Sequence, residues 1–123
     1  FIDIDGVRLH YIERGRGQPI ILLHGASSNL RDFATSIVDA LARDYRVLAF
    51  DRPGYGYSQR LPGDWADPAS VMDLILRAST QLGAEQPIWW NTPTASAVAC
   101  RWPAWPVTGQ ARWAGPTTLA SCR

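Results

Sequence analysis

The chain of 123 residues can bury one modest hydrophobic core, so its length favours a single domain. No apolar run approaches the roughly 18 residues that a membrane span needs, and the first residues have neither a basic leader nor the apolar core of a signal segment. We therefore expect a soluble, cytoplasmic protein without a membrane partner. The net charge of +1 divides unevenly: residues 1–88 carry nine Arg and eleven acids, whereas residues 89–123 carry three Arg and no acid.

The first predicted elements are short strands. Residues 1–12 form two strands around an Asp-Gly turn, and Val7, Leu9 and Tyr11 alternate onto one face of the second strand. His10 lies on the opposite, polar face and is expected at the surface. The run "PIILLHG" that follows is apolar on both faces, which is typical of a strand buried in a parallel sheet.

Two helices and two further strands follow. Residues 30–43 repeat apolar side chains at helical spacing, which predicts an amphipathic helix with Asn29 as its N-cap. "YRVLAF" is a second buried strand. A second helix opens at Asp67-Pro68 and closes at Gly83, and "EQPIWW" is predicted to be the third buried strand. This order predicts the α/β class, with a mostly parallel sheet covered on both faces.

Two loops at the carboxyl ends of the predicted strands carry unusual residues, and such ends are where ligands bind in open α/β sheets. After the first buried strand, Gly25 permits a sharp turn that leaves the N–H of Ala26 free to stabilise an oxyanion. The second loop, "DRPGYGYS", begins at Asp51, which is either a catalytic carboxylate or, as we favour, an acid that fixes the turn. A dinucleotide loop is disfavoured because Gln59 stands where a third Gly is required.

Together with the element order, "LHYIERGRGQPIILLHG" and "YRVLAFDRPGYGYS" resemble the α/β-hydrolase superfamily, from about residue 7 to residue 88. The resemblance implies a partial α/β-hydrolase domain over residues 1–88, its N-terminal portion. It also implies a small-molecule substrate, such as an ester, lactone or epoxide, and neither cofactor nor metal. The oxyanion hole maps onto Gly25 and Ala26. Residues implied to shape the loops near the pocket are His24, Asp51, Arg52, Pro53, Gly54, Gly56 and Ser58.

The catalytic machinery of that family is missing from the chain. An α/β-hydrolase uses a nucleophile in a G-x-S-x-G turn, followed by an acid and then a His. The sequence has no G-x-S-x-G, and it has neither acid nor His after Ile88. Ser96 lies near the expected place but lacks the flanking glycines and any base to activate it. We therefore assign no catalytic residue and expect the chain to be inactive.

Residues 89–123 lose all periodicity and hold five of the six Trp, so we predict a tail that is disordered or irregular. A reading-frame change near Ile88 accounts for this shift in composition. Read one base earlier, codons compatible with "WWNTPTA" permit Leu-Val-Glu-His-Ser-Tyr-Gly, close to a nucleophile turn. A truncated or genuinely divergent C-terminus is the alternative. Cys100 and Cys122 have neither CxxC spacing nor a nearby His, and we expect two incidental thiols.

Two non-enzymatic interpretations stay open. The Trp- and Arg-rich tail could bind nucleic acid or sugar by stacking, although three Arg over 35 residues give little electrostatic attraction, and we predict no nucleic-acid partner. The chain could also be a non-catalytic interaction protein, because three parallel strands leave an open sheet edge that another chain can pair with. The sequence does not predict the oligomeric state.

Overall fold

The computed structural model describes residues 1–25, 28–34, 37–63 and 68–91. Of the tail predicted over residues 89–123 to be disordered or irregular, residues 89–91 instead belong to a strand, and residues 92–123 lie outside these ranges. No helix in the described ranges has the length and apolar character needed to cross a membrane. The strands are β1 Ile2–Ile4, β2 Val7–Leu9, β3 Tyr11–Arg14, β4 Pro19–Leu23, β5 Arg46–Phe50 and β6 Ile88–Asn91, and the helices are α1 Arg31–Ala34, α2 Val38–Leu41 and α3 Pro68–Gln81.

Four strands form the central sheet in the order β3-β5-β4-β6. β4 pairs in parallel with β5 and with β6, and β3 pairs antiparallel with β5. Leu23 at the end of β4 is opposite both Phe50 and Asn91, so the three parallel strands end at the same edge. The predicted α/β class and mostly parallel sheet are confirmed.

The two faces of this sheet are buried in two separate clusters. Ile21 and Leu48 point toward α3 and the β1–β2 hairpin, while Ile20 and Val47 point toward α1 and α2. Successive residues of a strand face opposite sides of a sheet, so a strand covered on both sides needs a continuous apolar run. This is why β4 and β5 were recognisable in the sequence.

At the N-terminal hairpin, the predicted turn is present but the predicted length of the second strand is wrong. Asp5 and Gly6 have φ values of 51° and 78°, as a tight hairpin turn requires, and β1 pairs with β2 in a sheet of their own. The predicted second strand over residues 7–12, however, divides at His10, and β3 joins the central sheet. The backbone of His10 leaves the ladder because its N–H donates to Ser58 Oγ and its carbonyl accepts from the Asp51 N–H.

The predicted helix over residues 30–43 is also corrected, because two short helices, α1 and α2, stand in its place. Ile37, just before α2, has a φ of −118°, far from the helical value near −63°. Phe33 and Val38 are nevertheless buried against the sheet, as the apolar spacing predicted.

α3 and β6 follow the predictions more closely. α3 begins at Pro68, and Gly83 adopts the positive φ of 70° that ends a helix, while the predicted cap Asp67 lies outside the described residues. β6 continues through Trp89 and Trp90 to Asn91. Trp89 is 8% exposed and packs in the α3 cluster, whereas Trp90 packs on the opposite face.

Candidate functional site

The loops after β4 and β5 leave the same edge of the sheet side by side, because Leu23 and Phe50 are register partners. His24 and Gly25 follow β4, and the loop from Asp51 to Ser58 follows β5. The structure therefore brings the two predicted loops together at the edge where open α/β sheets bind ligands.

His24 is fully buried, and both of its ring nitrogens are engaged. Nε2 accepts a hydrogen bond from the Arg52 N–H at 2.9 Å, so Nδ1 carries the proton and donates to the Gly25 carbonyl at 2.8 Å. Burial, aided by the nearby guanidinium of Arg52, lowers the pKa of His24 below its usual 6.5. A neutral imidazole with both nitrogens occupied holds the two loops together and is unsuited to accept a proton.

Arg52 adds a second link to the same carbonyl. Its Nη2 donates to the Gly25 oxygen at 3.1 Å, and its guanidinium lies 4.6 Å from the centre of the Tyr55 ring. The side chain is buried, and its Nε has no hydrogen-bond partner among the described residues. Gly25 is thus fixed through its carbonyl. Ala26, the predicted oxyanion donor, lies outside the described residues.

Asp51 fixes three separate segments of the chain and is only 1% exposed. Its Oδ1 accepts from the Leu30 N–H at 2.9 Å, and its Oδ2 accepts from His10 Nδ1 at 2.8 Å and from the Tyr57 N–H at 3.1 Å. We call this group of hydrogen bonds the Asp51 clamp. The contacts are those of an acid that fixes a turn, the role favoured from the sequence.

The remaining loop residues complete the clamp. Ser58 Oγ donates to the Asp51 carbonyl at 2.7 Å, and Pro53 is buried in the loop. Gly54 and Gly56 have positive φ values of 82° and 52°. A Cβ on Gly56 would overlap the carboxylate of Asp51, whereas one on Gly54 would meet only the flexible side chain of Arg60, at 3.7 Å.

His10 is the site residue that the sequence reasoning missed. It was expected at the surface, yet its side chain is only 20% exposed and is bound to a carboxylate 41 residues away. Its ring lies 4.9 Å from that of Phe1 and meets the Tyr57 ring edge-on at 5.2 Å. The only signal in the sequence was a titratable side chain on the polar face of a strand, which does not reveal so distant a partner.

A cleft of about 150 Å³ opens beside this histidine. Arg31 and Tyr57 both line the cleft, and Arg31 Nη2 donates to the Tyr57 hydroxyl at 2.5 Å. Asn29 Oδ1 accepts from the Arg31 N–H at 2.9 Å, as predicted for the helix start. The residues that line the cleft are His10, Asn29, Leu30, Arg31, Asp51, Gly56 and Tyr57.

The family model of the α/β-hydrolase fold matches residues 18–90, more than half of the chain. The match spans both loops of the site and extends into β6. The chain belongs to the α/β-hydrolase family.

Individual relatives match the same region. The chain is 40% identical over 58 residues to 2-hydroxy-6-oxo-6-(2'-aminophenyl)hexa-2,4-dienoic acid hydrolase of Metapseudomonas resinovorans, covering 46% of this chain and 20% of that protein. It is 37% identical over 57 residues to a soluble epoxide hydrolase of Corynebacterium sp. (strain C12), and this match also covers 46% of this chain and 20% of that protein. The chain thus spans about a fifth of the length of these curated relatives.

Among solved structures, the Cif epoxide hydrolase from Acinetobacter nosocomialis superimposes with a TM-score of 0.72 at 24% identity. The match covers 84% of this chain and 33% of that one. At this identity the likeness establishes the fold.

Proposed function

We propose that the chain is the N-terminal part of a serine-type α/β-hydrolase that acts on a small-molecule ester, lactone or related carbonyl or epoxide compound. We propose further that this 123-residue polypeptide is itself inactive as a serine hydrolase. The observation that carries both statements is the pair of loops at the sheet edge, which has the family's local structure without its nucleophile, acid or base.

The geometry of the site supports inactivity. His24 is held neutral with both nitrogens in hydrogen bonds, and every oxygen of the Asp51 carboxylate already accepts from a fixed donor. Neither residue is available to activate a serine, because a triad base needs one free nitrogen. Residues 89–123 contain no His, Asp or Glu that could take over these roles.

The substrate class in this proposal comes from the relatives. One is named for the hydrolysis of a dienoic acid and the other for that of epoxides, both small molecules. In the proposed intact enzyme, the backbone at Gly25 and Ala26 would supply one half of the oxyanion hole. The fixed Gly25 carbonyl supports this role, because it restricts the orientation of the peptide group that follows.

We attribute the missing nucleophile to a frame change near Ile88. β6 ends at Asn91, and the codons that follow it are the ones for which the shifted frame permits His-Ser-Tyr-Gly. Sequencing the coding DNA through and beyond Arg123 tests this. We expect the shifted frame to continue over about a hundred codons and to encode an acid and then a His, the order of the family's triad. A stop codon soon after the shift, or the absence of either residue, contradicts the frame change.

Inactivity is tested with a serine-directed fluorophosphonate. We expect the intact mass of the chain to be unchanged after treatment, and Ser96→Ala to behave identically, because no base activates that serine. A stoichiometric adduct, accompanied by loss of ester turnover, would overturn the proposed inactivity.

The alternative of a Trp-based binding surface is disfavoured by the fold. Trp89 is buried against α3, and Trp90 packs on the other side of the sheet. Two of the five Trp that would form such a surface therefore point away from each other into the core.

A further inference from the structure

The cleft beside His10 contains a histidine–carboxylate pair that the serine mechanism does not use. We infer that His10 is the general base of a second, serine-independent site, which hydrolyses small activated esters by deprotonating a water molecule. This inference does not rest on the proposed function, because it needs neither a nucleophilic serine nor any residue after Ser58.

The hydrogen bond to Asp51 sets the tautomer of His10. Nδ1 lies 2.8 Å from Oδ2 of Asp51, whose side chain is only 2% exposed. Because a carboxylate can only accept a hydrogen bond, Nδ1 carries the proton and donates it to Asp51. The lone pair of the neutral ring is then on Nε2, which has no hydrogen-bond partner in the described part of the chain. A carboxylate that orients an imidazole in this way also stabilises the imidazolium formed when the ring takes up a proton.

The imidazole is held in place from several directions. Its backbone N–H donates to Ser58 Oγ at 2.9 Å, and the imidazole also contacts the rings of Phe1 and Tyr57, whose centres lie 4.9 Å and 5.2 Å from its own. Nδ1 is turned toward the buried carboxylate, and the side chain, which is 20% exposed, lines the cleft. A base that is already oriented loses less free energy in reaching the reactive geometry.

Tyr57 supplies a group for the developing negative charge. Its oxygen accepts from Arg31 Nη2 at 2.5 Å, so its own O–H is free to donate to a carbonyl oxygen. The cleft, with a volume of about 150 Å³, has room for an acetyl group and a water molecule.

The proposed reaction balances without any co-reactant. His10 Nε2 removes a proton from water as the water oxygen forms a bond to the ester carbonyl carbon, and Tyr57 donates a hydrogen bond to the resulting oxyanion. The tetrahedral intermediate then expels the alcohol or phenol oxygen, which takes the proton from Nε2. Ester and water give acid and alcohol, and the histidine returns to its starting state.

The experiment measures hydrolysis of 4-nitrophenyl acetate by the full 123-residue chain after fluorophosphonate treatment. Cys100 and Cys122 are first replaced by Ser, because thiols react with this ester, and the chain has no Lys to compete. We expect more than one turnover per chain, a rate at least about tenfold above that of equimolar imidazole, and a slower rate in D2O. His10→Gln should lower the rate to background, whereas Arg14→Gln, an exposed change on β3, should leave it unchanged.

Two further measurements apply if His10→Gln fails to fold. Tyr57→Phe keeps the aromatic ring and should lower the rate severalfold with unchanged circular dichroism. The ¹⁵N chemical shifts of His10 in the unsubstituted chain should show the proton on Nδ1. A rate equal to that of imidazole, a single acetylation without turnover, an unchanged rate in Tyr57→Phe, or a proton on Nε2 would each overturn the inference. None of these results bears on the missing serine machinery, which the fluorophosphonate experiment tests separately.

Discussion

Replacing Gly56 by Ala tests whether the Asp51 clamp organises the site, and Gly54→Ala is the matched control. Both glycines lie in the same loop with positive φ values, 52° and 82°. Only at Gly56 would the added methyl group overlap the Asp51 carboxylate, because a Cβ at Gly54 meets nothing closer than the Arg60 side chain at 3.7 Å. The difference between the two variants therefore isolates the displacement of the carboxylate.

The magnitude follows from the hydrogen bonds that Asp51 accepts. Ala in a left-handed conformation costs about 1–2 kcal/mol at either position. Each hydrogen bond to a charged group contributes about 1.5–3 kcal/mol. If displacement of the carboxylate breaks only its bonds to the Leu30 and Tyr57 amides, Gly56→Ala loses about 3–6 kcal/mol more than the control. A domain of this size has a total unfolding free energy of about 5–15 kcal/mol, so this variant is expected to be barely folded.

Urea unfolding followed by Trp fluorescence measures these free energies, since Trp89 is buried in the folded chain. In an Asp51→Ala background, Gly56→Ala should cost no more than Gly54→Ala, because the obstructing carboxylate is gone. Equal destabilisation by the two glycine substitutions in the unsubstituted chain, within about 0.5 kcal/mol, would refute the reasoning.

Two further predictions concern pH and the link between β5 and α3. Burial lowers the pKa of His24 below 6.5, so under acidic conditions the unfolded chain binds a proton that the folded chain does not, and the free energy of unfolding should fall as the pH drops below about 6.5. Urea unfolding at about pH 7.5 and about pH 5.5 measures this, with the His24 proton resonance as a direct readout; constant stability would contradict it. Arg46 binds Glu13 at 2.7 Å and the Leu82 carbonyl at 2.7 Å, so Arg46→Gln should cost about 1–2 kcal/mol. The exposed Arg14→Gln should cost less than about 0.5 kcal/mol, and similar losses in both variants would contradict a specific role for Arg46.

The elements predicted correctly are those whose own residues indicate how they are buried or where they begin and end. β4 and β5 are buried on both faces from their second residue onward, and this requires apolar residues at each of those positions. α3 is marked at its ends, by Pro68 in its first turn and by Gly83 just beyond its last. Such signals are local, and they do not depend on where the rest of the chain lies.

The predictions that were wrong depended on distant partners or on backbone details. The alternation from Val7 to Tyr11 continues smoothly in the sequence, although β2 pairs with β1 and β3 pairs with β5. Side-chain periodicity reports burial and not the identity of the neighbouring strand. In the same way, apolar spacing around Phe33 and Val38 predicted the buried face but not that the described residues form two short helices, α1 and α2.

In the candidate site, too, the local features were predicted and the long-range contacts were not. The resemblance located the loop residues from Asp51 to Ser58, because glycines at strand ends signal shaped turns. It did not predict that Asp51 would bind His10 and Leu30, which are 41 and 21 residues away. Long-range hydrogen bonds of this kind follow from the complete fold and leave no periodic trace in the sequence.

The Asp51 clamp also bears on the order in which the chain can fold. Its contributing segments all lie between His10 and Ser58, whereas β6 begins only at Ile88. Because synthesis proceeds from the N-terminus, every group of the clamp is synthesised, and emerges from the ribosome, before the third parallel strand does. Pairing of β5 with β3 and β4 and closure of the clamp are therefore available to a nascent chain that still lacks β6. The loops of the site can acquire their shape independently of whatever sequence follows Asn91.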